Sequence, residues 1–135
     1  MFRNEDKQFS HGAVATSVPQ AAQIGCEVLK QGGNAIDAAV AAAAALTVCE
    51  PTSNGIGSDL FAIVWYQGQL YGLDASGPSP KGLTMEHLNA HGHEKMPTFG
   101  AISAMVPGTP AGWEALTQRF GKRSFKENLA PAAKV

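Results

Sequence analysis

Between Gly32 and Pro51 lies a stretch that few folds can accommodate. From Ala38 to Cys49 the only polar side chain is Thr47, and the run is dominated by alanine. Asn34 has the chemistry of a helix N-cap, and Asp37 falls where the positive end of a helix favours a carboxylate. Pro51 ends the helix, because it lacks an N–H and its ring restricts Glu50 before it. The run is shorter than the roughly 20 apolar residues that a membrane crossing needs. A helix apolar on all sides and lined by small side chains is a central helix, approached closely by its neighbours. What covers it is the question the remaining sequence must answer.

The helix before it reads from Pro19, with Ser17 and Gln20 at capping-box spacing and Pro19 in the first turn. Ala21, Ile24, Gly25, Val28 and Leu29 share one face, and Gly32 supplies a left-handed stop. Asn34 opens the central helix almost at once, so the two form an αα-hairpin. Gly12–Ser17 reads as a short strand, and residues 1–11 as a flexible polar lead-in. After the loop Thr52–Asp59, Leu60–Tyr66 is an apolar run of strand length, expected to be buried on both faces. Gln67-Gly68 is a tight turn, and Gln69–Asp74 returns as the hairpin partner. Residues 81–105 are irregular apart from a short helix near Thr84–Leu88. Thr109 and Pro110 read as cap and first residue of a helix through Trp113, Leu116 and Phe120, stopped by Gly121. Ser124 and Glu127 form a further capping box. The last residues, Ala132–Val135, read as running on in helix without a stop. The fold class is therefore α+β.

With 135 residues, the chain is long enough for one domain, which the pattern places over residues 12–135. A net charge of −1 without basic clusters argues against nucleic acid as a partner, and nothing points to a membrane. The N-terminus has no apolar core of a signal peptide, so the default compartment is the cytoplasm. Two cysteines inside helical patterns, Cys26 and Cys49, read as small core residues rather than nucleophiles.

No complete catalytic constellation is visible. The glycines of Asn54-Gly55-Ile56-Gly57-Ser58 sit between a helix and a strand. A phosphate cradle needs strand, glycines, then helix, so the loop reads as a tight reversal letting backbone pass near a neighbour. His87, His91, His93 and Glu94 have some metal-ligand character but no second cluster, and read as a solvated loop. No metal and no cofactor is expected.

The series Gly12–Ser17, Lys30-Gln31-Gly32-Gly33-Asn34-Ala35-Ile36-Asp37-Ala38-Ala39, Glu50-Pro51…Gly55-Ile56-Gly57, Leu73-Asp74 and Val106-Pro107-Gly108-Thr109-Pro110-Ala111-Gly112 resembles the gamma-glutamyltransferase family, with its related cephalosporin acylases. The resemblance runs collinearly from about Gly12 to the end, and is weaker over residues 85–100. It implies a precursor that cleaves itself into large and small subunits, folded as the αββα sandwich of N-terminal nucleophile hydrolases. The N-terminal threonine of the small subunit attacks a γ-glutamyl amide such as glutathione's, its own amine serving as base. Backbone N–H groups stabilise the oxyanion, and the acyl group passes to water or an amino acid.

This sequence matches the opening part of the large subunit and lacks both the threonine cleavage motif and the paired-glycine oxyanion stretch. The chain alone is therefore expected to be inactive, with no catalytic residue of its own. Its expected partners are the rest of the large subunit, the small subunit, or another copy of itself, and in the complete enzyme a small acyl substrate. The parent's compartment can be periplasmic or extracellular. Glutamyl-specific members of the family place an arginine two residues beyond the Leu-Asp strand end, where it holds the substrate's α-carboxylate. Here that place is taken by Ser76, whose neutral hydroxyl cannot make the bidentate contact of arginine. Ser58 and Asp59 also stand where the family continues with glycines. The alternative from another class is a catalytically silent, free-standing binding module on the same scaffold. A fragment exposes the apolar helix and associates, whereas a module melts cooperatively as one defined species.

Overall fold

The computed structural model describes residues 11–135, so all of the lead-in except His11 lies outside the described residues. The described residues divide into two compact units, one formed by residues 11–53 and 116–135, the other by residues 54–115.

In the first unit, helix α1 (Pro19–Lys30) and helix α2 (Ala35–Cys49) form the expected hairpin. The reversal between them uses Gly32 at φ +89° and a bond from the Gly33 N–H to the Val28 carbonyl. Val28, Ala38 and Ala41 form a buried cluster, with Val14, Ile24 and Leu29 packed against it. The helices approach closely because α1 presents Gly25, where a Cβ would meet Val14 and the Ala38 carbonyl. Helix α5 (Phe125–Leu129) and a 3-10 turn at Ala132–Lys134 pack on other parts of α2. Thus α2 is not left bare. Ala38, Val40, Ala41, Ala42, Ala44 and Ala45 are buried, while Ala39 and Val48 are exposed. Each methyl removed from water stabilises by about 0.8 kcal/mol, and the small side chains permit helix-to-helix contact along the whole seam.

Three local expectations fail in this unit. Gly12–Ser17 has no regular secondary structure and joins no ladder among the described residues, since a strand exists only through its partner. The cap of α1 is Val18, without a side-chain bond; Ser17 instead donates its hydroxyl to Glu50 Oε2 at 2.9 Å, at the far end of α2. The sequence after Pro131 is a single 3-10 turn rather than continuing helix.

In the second unit, strands β1 (Leu60–Tyr66) and β2 (Gln69–Ala75) form an antiparallel hairpin, Tyr66 opposite Gln69 and Leu60 opposite Ala75. Gln67 at φ +49° and Gly68 at φ +79° give the type I′ turn that matches strand twist. The expectation that β1 is buried on both faces is corrected. Phe61, Ile63 and Trp65 point to one exposed face, at 66%, 84% and 71% exposure, and Leu70 opposite Trp65 extends it. A two-stranded sheet has no second layer to cover that face, so the exposed apolar surface expected of α2 is found on the hairpin instead. Helix α3 (Met85–Ala90) is capped by the Thr84 hydroxyl, which accepts the His87 N–H. Helix α4 (Thr109–Phe120) starts in this unit and ends in the first. No described helix is long and apolar enough to cross a membrane.

Candidate functional site

The segments singled out in the sequence gather at two places, one in each unit. The first is Asp37. With Asn34 it completes a reciprocal capping box: Asn34 Oδ1 accepts the Ile36 and Asp37 N–H groups, and Asp37 Oδ2 accepts the Asn34 N–H at 2.9 Å. The same carboxylate also accepts the Lys122 N–H at 3.0 Å, the Arg123 N–H at 3.3 Å and the Asn128 side-chain amide at 2.9 Å. Asn34 in turn donates its side-chain amide to the Phe120 carbonyl at 2.6 Å.

The side chain of Asp37 is wholly buried. Burial pushes its carboxyl pKa up. The Asn128 amide and the N–H groups of Asn34, Lys122 and Arg123 pull it down further, and the net result lies below the ordinary 3.8. Both oxygens are occupied by donors of this chain, so Asp37 is a structural fastening between α2 and the α4–α5 junction. The sequence identified its place in the first turn but not these distant partners.

The second place is a crossing of main chains in the other unit. Gly77, at φ +78°, lies so near residue 106 that a Cβ there would overlap the Val106 carbonyl; a Cβ at Gly108 would overlap the Ala75 carbonyl. The Val106 N–H donates to the Pro78 carbonyl at 3.1 Å. Loop 54–59 joins the crossing through Ser58, whose carbonyl accepts the N–H groups of Gly108 and Thr109. Thr109 is the first residue of α4 rather than its cap, and its buried hydroxyl donates to the Ser58 and Asp59 carbonyls at 2.7 and 3.0 Å. Loop, strand end and Val-Pro-Gly-Thr segment, separate in sequence, are therefore one fastened cluster. In the loop itself, Gly57 has open space around it, so the close backbone passage expected there occurs at Gly77 and Gly108 instead.

Ser76 sits inside this cluster, half-buried at the end of β2. Its N–H donates to Asp74 Oδ1 at 2.9 Å, an Asx-type turn that bends the chain out of the strand. From Leu73 to Pro80 the segment carries one carboxylate and no cationic side chain. The arrangement can offer a hydroxyl to a neutral or polar group, but it supplies no charge to hold a carboxylate. Asp59 is exposed, and Ser58 contributes through its backbone.

The other candidates lie apart from this cluster. Cys26 and Cys49 are free thiols of intermediate exposure. His87 on α3 and His91, the C-cap of that helix, are neighbours, with ring centroids 4.3 Å apart. Among the described residues no three His, Cys, Asp or Glu side chains converge as a metal site.

The sequence profile described as gamma-glutamyltranspeptidase matches residues 21–135. The glutathione hydrolase proenzyme of Bacillus subtilis is 38% identical over 131 residues, covering 92% of this chain and 22% of that protein. The crystal structure of the gamma-glutamyltranspeptidase from Pseudomonas nitroreducens superposes with a TM-score of 0.84 at 40% identity, covering 94% of this chain and 39% of that one. Cephalosporin acylase from Bacillus halodurans gives a TM-score of 0.83 at 44% identity, covering 98% of this chain and 27% of that one. The chain spans less than a quarter of the length of the curated relatives it matches.

Proposed function

The chain belongs to the gamma-glutamyltranspeptidase family, and from that premise we propose that it is the N-terminal portion of the large subunit of an amidohydrolase or acyltransferase with acylase-like specificity. In this reading the complete enzyme is an αββα sandwich, and the attacking threonine stands at the N-terminus of its small subunit. This chain contributes the central helical hairpin, the β-hairpin, and part of the wall against which the acyl group rests. The uncovered Phe61, Ile63, Trp65 and Leu70 face supports the need for a further layer from the rest of the enzyme.

The observation that carries the specificity is Ser76. It occupies the position where glutamyl-specific relatives place arginine, at a strand end whose Ala75 carbonyl abuts Gly108 and whose Pro78 carbonyl accepts the Val106 N–H. Without a guanidinium, the α-carboxylate of a γ-glutamyl group gains no charge-assisted partner here, and an acyl group lacking that carboxylate loses nothing.

Two measurements test this. In the complete parent enzyme, Ser76→Arg lowers KM for a γ-glutamyl anilide about tenfold or more, the worth of one charge-assisted hydrogen bond, and leaves the 4-aminobutyryl anilide unchanged. Equal effects on both substrates, or none on the first, overturn the assignment of Ser76. Separately, the purified 135-residue chain incubated with either anilide shows no turnover. Hydrolysis that survives repeated purification and follows the protein through a sizing column defeats the reading that the nucleophile lies elsewhere.

A further inference from the structure

Helix α3 lies outside the fastened cluster, and its two histidines have no part in the function proposed above. His87 lies within the helix and His91 is its C-cap, four residues further on, so the two side chains stand about one turn apart. Their rings lie 4.3 Å apart, centroid to centroid, with planes tilted by 33°. Two imidazole nitrogens each about 2.0–2.1 Å from one ion hold their rings about 5 Å apart, so a small rotation about the side-chain bonds closes this pair on a metal.

The second observation is the tautomer. His91 Nδ1 lies 2.8 Å from the His87 carbonyl oxygen. A carbonyl only accepts, so Nδ1 carries the proton and Nε2 keeps its lone pair in the neutral ring. A ligating histidine is commonly oriented in this way, its second nitrogen donating to a backbone carbonyl. Both side chains are exposed, so water can complete the coordination sphere without desolvating a buried charge.

We propose that His87 and His91 form a two-histidine site for a borderline divalent transition-metal ion, with copper(II) preferred over nickel(II) and zinc(II). The preference follows the general order of affinity of nitrogen ligands for these ions. The chain folds back after α3, where the His93 N–H donates to the Leu88 carbonyl, and no third side chain joins the pair among the described residues. The site therefore uses two protein ligands, and the ion ties α3 to its C-cap residue.

The test is titration of the purified 135-residue chain with copper, nickel and zinc chlorides, followed by calorimetry and by amide exchange. Saturable one-to-one binding is expected, weakened at least tenfold by His87→Ala or His91→Ala and changed less than twofold by His93→Ala. Exchange of amides 88–91 slows when copper is added. Circular dichroism of each variant without metal confirms that the fold is intact; His87→Gln, which keeps a polar side chain of similar reach, weakens binding as His87→Ala does. Binding unaffected by the His87 and His91 substitutions, lost instead with His93→Ala, or not saturable by millimolar ion overturns the proposal.

Discussion

Asp37→Ala is expected to destabilise the chain by about 3–5 kcal/mol, measured by urea unfolding followed by circular dichroism. The substitution leaves the Asn34, Lys122 and Arg123 N–H groups and the Asn128 side-chain amide without their acceptor. A buried donor deprived of its partner keeps the full cost of desolvation. Such a loss is a large fraction of the stability of an ordinary domain. The effect depends on pH in a defined direction. Because the folded carboxyl titrates below its ordinary 3.8, its ionised form stabilises the fold above about pH 4, and that contribution is lost as pH falls through the depressed value. The difference in Tm between the natural chain and Asp37→Asn is therefore largest near neutrality and shrinks below pH 4. A difference that stays constant from pH 3 to 7 would show that the carboxylate's charge is not what Asn128 and the backbone donors require.

Gly108→Ala and Gly77→Ala are each expected to cost about 2–4 kcal/mol, because their new methyl groups meet backbone carbonyls rather than yielding side chains. At Gly77 the positive φ adds the strain of a left-handed backbone, about 1–2 kcal/mol, within that range. The crossing must open to admit either methyl, which breaks the Val106–Pro78 bond and frees the Ser76 strand end. Gly82→Ala is the control: nothing lies within 4 Å of the position, and the change is expected to stay within about 0.5 kcal/mol. Thermal melts of the three variants, with amide exchange at Val106, test the argument. Equal stability of Gly82→Ala and Gly108→Ala would remove the crossing from the account of the site.

Much of the local structure was legible because its causes are local. Asn34 with Asp37, and Ser124 with Glu127, act on amides within one turn of themselves, and both boxes form. Gln67-Gly68 carries the positive φ angles of its turn within two residues, so the hairpin register follows from it. The same local reasoning failed at Ser17 and Thr109, whose hydroxyls found better acceptors far along the chain, at Glu50 and at Ser58 and Asp59. It failed on β1 because an apolar run reports what a strand needs, not what this chain supplies. At the candidate site, Ser76 stood out only through resemblance to a family. Nothing in residues 73–80 alone announces the crossing that holds it.

From its own order of residues, this protein fixes a helical hairpin seamed with alanine, a β-hairpin and the family to which they belong, since each rests on short-range periodicity, caps and a collinear series of motifs. Only the tertiary structure decided that Asp37 is a buried junction and that Gly77 and Gly108 bring two distant segments into backbone contact. The reason is physical: Asp37 answers to donors 85 to 91 residues away, and steric overlap at the two glycines depends on chain segments that no local window contains.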